Sequence, residues 1–415
     1  MIRLKSILIL TALWLSVQNS IGQPLAAFLP DMSYPFVNEE ANVISNNVHL
    51  DSLMEKLYNL KVHRHGTINI LHIGDSHLQA DFMTSVIRTK LQKEFGNGGR
   101  GLVVPLHVAK TNEPDNYKST SNFSWQSKRC VFPNQPLPIG IGGVTISTTD
   151  SCADFTIKTM DDLPQSYGFN KMTLFYQKDS ASYGFTLSDS LGVCLGLLSP
   201  DSLDVYPFTS SVAFPVSTNQ VTVKVTNTCS QKSRATIYGL LLENGNPGII
   251  YNTVGVNGAE YLHYSEASNF CEQTKALKPD LIIISLGTNE AYALNFDPET
   301  FYADIQLLFN QLKKENPKAQ FLLTTPACSY RRKKPNLRLP LAGKTIIRFV
   351  TDNNLAYWDL QGATGGSNSA INWRKNHMLR PDGVHYSRAG YELQANLFCN
   401  AFLNAYNAYV SNRSK

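Results

Sequence analysis

The sequence predicts an α/β protein, a three-layer sandwich around a central parallel sheet, interrupted by an inserted β-sandwich. Two observations predict the sheet and a third the insertion. First, short apolar runs rich in β-branched residues recur at 68–73, 248–254, 281–286, 320–325 and 355–360, the pattern of strands buried on both faces. Second, helical stretches stand between them. Residues 78–95 place Phe82, Val86, Leu91 and Phe95 on one face, and Asp297-Pro298-Glu299 reads as an N-terminal cap before Phe301, Ile305, Leu308 and Leu312. A last helix is expected over 387–409. Third, between 106 and 245 the period changes to short alternating segments at 144–147, 154–158, 171–176, 182–187, 221–225 and 235–242, separated by Ser, Thr, Asp, Gly and Pro. An unstructured connection of that length inside a compact domain is implausible, so a folded insert is expected.

With 415 residues, 43% hydrophobic and 17% charged, the chain is long enough for two cores and too apolar for a disordered protein. The expected organisation is a signal peptide over 1–22, a first part of the α/β domain over 23–105, the β-rich insert over 106–245 and the second part over 246–415. The formal charge of +5 is modest and not gathered into long runs; it weakly favours acidic partners and argues against nucleic-acid binding.

Export follows from the N-terminus. Arg3 and Lys5 precede an apolar run from Ile7 to Val17, and small residues Ser20 and Gly22 follow. The run is shorter than the roughly 20 residues of a membrane-spanning helix, so a secreted or periplasmic protein without stable membrane insertion is expected. Seven cysteines are scattered without a CxxC pair or zinc-ligand spacing. Neither a metal nor another cofactor is expected.

Four short motifs carry the chemistry. Gly74-Asp75-Ser76-His77 follows the first strand and places a serine at a helix start, where backbone N–H groups and the helix dipole favour developing negative charge. Alone, the serine also reads as a helix cap. Gly255-Val256-Asn257-Gly258 follows the strand at 248–254; Gly258, with Gly255 as the alternative, offers a backbone N–H to an oxyanion. Ser285-Leu286-Gly287-Thr288-Asn289-Glu290 follows the next strand and brings the Asn289 amide, with Glu290 as support for the loop. Finally, Asp382-Gly383-Val384-His385 precedes the last helix. Asp382 can there hold the imidazole tautomer whose Nε2 faces the serine. All four lie at the edge where open α/β sheets form sites. A serine hydroxyl is a weak nucleophile, and these residues supply the base and donors it needs.

In order and content the motifs resemble the SGNH, or GDSL-like, hydrolase superfamily, with a flavodoxin-like core. The resemblance covers roughly 66–105 and 246–412. It implies Ser76 as nucleophile, Gly258 and Asn289 as oxyanion donors, and Asp382 with His385 as the acid-base pair. His77 stands where the family has leucine, and Glu290 where it usually has aspartate. The GDSH tetrapeptide, the Gly98-Gly99-Arg100-Gly101 stretch and the β-rich insert are similar to peptidoglycan O-acetylesterases and related bacterial carbohydrate esterases. The expected activity is thus removal of O-acetyl groups from a glycan, peptidoglycan or another polysaccharide. An O-acetyltransferase using the same serine, and a glycan-binding protein with an inactive core, are the alternatives. His77 reads as a packed turn residue or a substrate contact, and Arg331-Arg332-Lys333-Lys334 as a solvated loop. Trp125, Tyr176, Tyr183 and Tyr251 read as core rather than as a sugar platform.

Overall fold

The computed structural model describes residues 25–26, 34–132, 137–161, 166–227, 231–366 and 369–413. The expected signal segment and Cys229 lie outside them. The central sheet has six strands in the spatial order Ile44–Ser45, Ala356–Trp358, Gln320–Thr324, Leu281–Ser285, Thr67–Gly74 and Gly248–Gly255. All neighbours are parallel except the short edge strand Ile44–Ser45. Numbering the five parallel strands along the chain gives the order 2-1-3-4-5, whose switch point falls between Thr67–Gly74 and Leu281–Ser285.

Strand side chains alternate between two cores, as the period of two requires. Leu71 and Ile73 face the helices Pro298–Glu315 and Leu339–Asp352 together with the β-rich segment. Ile68 and Ile70 face Asp51–His63, Phe82–Phe95 and Arg388–Arg413.

The β-rich segment folds as two antiparallel sheets of five and six strands. Besides strands at the six segments read from the alternation, it contains Tyr117–Thr120, Gln126–Arg129, Cys194–Leu198 and Thr209–Thr218. Gly101–Val103, within the span assigned to the α/β part, pairs with Ala235–Glu243 and carries the chain from one sheet system to the other. Trp125, Tyr176, Tyr183 and Tyr251 are all buried.

One helix differs from expectation. The stretch 78–95 is broken into Ser76–Gln79 and Phe82–Phe95 because Asp81 takes a left-handed φ of 59°. That turn places the Asp81 carboxylate between Arg88 Nη1 (2.9 Å) and Arg100 Nη2 (3.0 Å), with Asn116 Nδ2 donating at 2.7 Å. Hydrophobic periodicity carried no sign of this break, because its cause is a buried polar contact with Arg100 and Asn116, which begin the β-rich segment. Among the described residues no helix is long and apolar enough to cross a membrane.

Candidate active site

At the C-terminal end of the strand Thr67–Gly74 the chain turns into the short helix Ser76–Gln79. The cap of that helix is Asp75, whose Oδ1 accepts from His77 N at 2.9 Å. With the capping position filled by its neighbour, the Ser76 hydroxyl is available elsewhere, and Ser76 Oγ lies 2.9 Å from His385 Nε2. On the far side of the ring, His385 Nδ1 is 3.1 Å from Asp382 Oδ2. The other carboxylate oxygen accepts from Val384 N (2.8 Å) and His385 N (2.9 Å). Partial burial pulls the Asp382 carboxyl up, but these backbone and imidazole bonds outweigh it and leave its pKa below the ordinary value. The carboxylate is therefore ionised and fixed where it orients an imidazole N–H.

Asn289 stands in the short helix Thr288–Tyr292, after Gly287 has turned the chain out of its strand. Its Nδ2 donates to Ala259 O at 2.9 Å and lies 3.4 Å from Asp75 Oδ2. The amide thus meets the residue before Ser76 and the turn that contains Gly258. That turn closes through Ala259 N to Val256 O at 2.9 Å, and Gly258 takes a φ of 82°. A left-handed conformation at an exposed position with open space around it is a backbone requirement, not a packing one. Gly255 differs. It is in register with Gly74 in the sheet, and a Cβ there would come within 2.4 Å of Gln79 N. It lets the serine helix approach the sheet.

The two neighbours that depart from the family pattern are structural in their contacts. His77 is buried, with Nδ1 3.0 Å from Tyr391 OH and its ring packed 5.6 Å from that of His385. Burial holds its pKa below the ordinary value, the charge of Asp75 opposing only in part. Glu290 is buried and accepts from Tyr261 N at 2.9 Å, tying its own helix to the end of the glycine loop. Burial pushes its carboxyl up to about 8, so it is protonated at neutral pH.

Three further groups near the site were not assigned to it from the sequence. Gln79 Oε1 accepts from Asn257 N at 2.6 Å, while its Nε2 donates to Thr111 Oγ1 (2.8 Å) and Asn112 Oδ1 (2.8 Å). It joins the serine helix, the Gly258 turn and a loop of the β-rich segment. Beneath the site, His72 Nδ1 is 2.8 Å from Tyr251 OH and its Nε2 is 2.7 Å from Ser285 Oγ. Full burial drives the His72 pKa down to about 3, so this second imidazole is neutral and braces the strands. The third group is the Asp81–Arg88–Arg100 cluster one turn past the serine helix. Among the described residues no three His, Cys, Asp or Glu side chains gather as metal ligands would.

Comparison with known proteins fits this arrangement. Residues 217–398 match the model of the GDSL-like lipase/acylhydrolase family. The match spans less than half of the chain. The matched span includes Gly258, Asn289, Asp382 and His385 but not Ser76, which the fold delivers from the other side of the β-rich segment. A solved peptidoglycan O-acetylesterase is 24% identical, covering 90% of this chain and 98% of its own with a TM-score of 0.70, so the two share their fold along nearly the whole length. Smaller likenesses are to a lipase/acylhydrolase from Enterococcus faecalis (20% identity, 38% of this chain and 77% of that one, TM-score 0.30) and a GDSL-like lipase from Bacteroides thetaiotaomicron (22%, 37% and 76%, 0.31). A search of curated protein sequences returns no match. The matched span and the shared fold make the chain similar to the GDSL-like lipase/acylhydrolases and to a peptidoglycan O-acetylesterase.

Proposed function

We propose that the protein is an exported carbohydrate O-acetylesterase, with Ser76 as nucleophile, His385 as general base and acid, and Asp382 as the group that orients the imidazole. The observation that carries this reading is the unbroken line from Ser76 Oγ through both ring nitrogens of His385 to Asp382. His385 Nε2 takes the hydroxyl proton as Ser76 Oγ attacks the acetyl carbonyl. The resulting oxyanion is held by the N–H groups of Ser76 and Gly258 and by Asn289 Nδ2. His385 then returns the proton to the departing sugar oxygen, and a water activated by the same nitrogen releases acetate and restores the serine.

The acetylated glycan is supported by the peptidoglycan O-acetylesterase whose fold the chain shares. Export is supported by the N-terminal charge and apolar run. The direct test is acetate release from 4-nitrophenyl acetate and from O-acetylated glycan, with transfer to sugar acceptors measured in the same tubes. Ser76→Ala is expected to lose about 10⁴-fold or more in kcat with an unchanged melting temperature. A variant that kept wild-type turnover would remove Ser76 from the mechanism, and acetyl transfer exceeding acetate release would make the enzyme a transferase.

A further inference from the structure

Cations crowd the side of the site that holds the Asp382–His385 loop, and the proposed mechanism uses none of them. Residues 326–388 carry eleven lysines and arginines against three aspartates and no glutamate, of which Arg348 is paired with Glu299 and Arg388 with Asp115 and Glu392. The centre of this band is a hairpin in which Tyr330–Arg331 pairs with Lys334–Pro335, leaving Arg332 and Lys333 as the two-residue turn. Both turn residues have left-handed φ values, 49° and 65°. Such turns favour Asn-Gly and disfavour long side chains, so cations occupy positions that local conformation argues against.

The hairpin is fixed to the catalytic loop rather than free beside it. Tyr330 N donates to Gly383 O at 2.6 Å, and a Cβ on Gly383 would sit 2.9 Å from Tyr330 Cβ. The Arg374 guanidinium lies over the Tyr330 ring, 4.7 Å from its centroid. Arg380 closes the same loop, its N–H donating to His385 O at 2.8 Å. Arg332, Lys333, Lys334, Arg374, Lys375 and Arg380 are all exposed. Among the described residues none of the six is in an ion pair. Asp382, the acidic residue of the loop, is occupied by His385 and two backbone N–H groups. Unpaired charge of one sign at the edge of a site concentrates ligands of the opposite sign there.

We propose that the 330–335 hairpin and the adjoining 374–380 segment form a subsite for anionic groups of the polymer, so that the acetyl ester cleaved at Ser76 is carried on an anionic glycan. This rests on the esterase reading for its chemistry but not for its binding.

The test compares wild type with the triple variant R332N/K333G/K334Q, whose Asn-Gly turn suits the hairpin better than the native pair. Hydrolysis of O-acetylated polygalacturonate, O-acetylated glucomannan and 4-nitrophenyl acetate is measured at low and high salt. The wild type is expected to favour the anionic polymer by roughly tenfold at low salt, the preference fading as salt screens it. The variant loses that preference through KM, while the small neutral ester reports on the triad in both proteins. Equal use of both polymers by the wild type, or an undiminished preference in the variant, overturns the proposal. Binding of unacetylated polygalacturonate to Ser76→Ala protein is followed by affinity electrophoresis. Salt-sensitive retardation without turnover of any ester by the wild type would remove the esterase reading and leave the subsite. Normal ester hydrolysis without retardation would do the reverse.

Discussion

Asp81 and Asp382 are carboxylates of opposite character in the same molecule. Asp81 has 2% of its side chain exposed and is gripped by Arg88 and Arg100, equally enclosed. Asp382 has 48% exposed, and its imidazole partner 36%. Burial would raise the Asp81 pKa, yet the two guanidiniums outweigh it and bring the group to about 2. Asp382 is held down by backbone N–H groups and the imidazole, with water close by. Where charge is sealed from water, removing one partner strands the others, and the contact serves stability. Where charge is half in water, its loss is screened, and the contact can be devoted to orientation at a mouth that substrate must enter.

The sharpest way to break the comparison is Asp81→Ala. It leaves two arginines buried without their anion and is expected to destabilise by about 3–5 kcal/mol, read as a shift in urea midpoint. By linkage, Asp81 has a folded pKa below its unfolded value, so its contribution is complete above about pH 4 and fades as pH falls toward 2. Asp382→Asn should do the opposite. The fold is expected to stay within about 0.5 kcal/mol of wild type, while kcat falls by about 10² to 10⁴, nearer the lower figure because water can partly replace a half-exposed carboxylate. If Asp382→Asn unfolded the protein and Asp81→Ala did not, the division of roles would be wrong.

Asn289→Ala is expected to lower kcat by about 10² to 10³ with little change in KM, the signature of a donor felt mainly in the transition state. Smallest is Glu290→Gln. The folded pKa of Glu290 is raised from 4.5 to about 8, so between those values the folded state holds a proton that the unfolded chain releases. Stability from this group therefore declines as pH rises through that window. Glutamine keeps the acceptor for Tyr261 N and cannot ionise. The variant should lose that slope, its stability relative to wild type rising with pH across the window, measured by denaturant melts across pH 5–8.

The strands of the parallel sheet were legible because each is a short run buried on both faces, and the motifs because three follow such a strand and the fourth precedes the last helix. The order 2-1-3-4-5 then turned four sequence-distant turns into neighbours at one sheet edge. Other features were hidden for one reason. Gln79 gains its role from Asn257 and Asn112, Asp81 from Arg100 and Asn116, and His72 from Tyr251 and Ser285. A polar side chain in an otherwise helical or apolar stretch does not declare its partner when that partner lies far along the chain or across a sheet. The choice between Gly255 and Gly258 had the same origin: both are glycines in one turn, and only packing against Gln79 separates their reasons.

The basic run 331–334 marks the limit most clearly. Sequence by itself determined that four cations are consecutive and solvated, since no local pattern could bury them. Only the tertiary structure decided that they tip a hairpin bonded to the loop bearing His385, with Arg374 and Arg380 drawn in beside them. Composition and period act over a few residues and fix what each segment can be. Hydrogen bonds and charge act across space, so they gain meaning only when folding sets which segments meet.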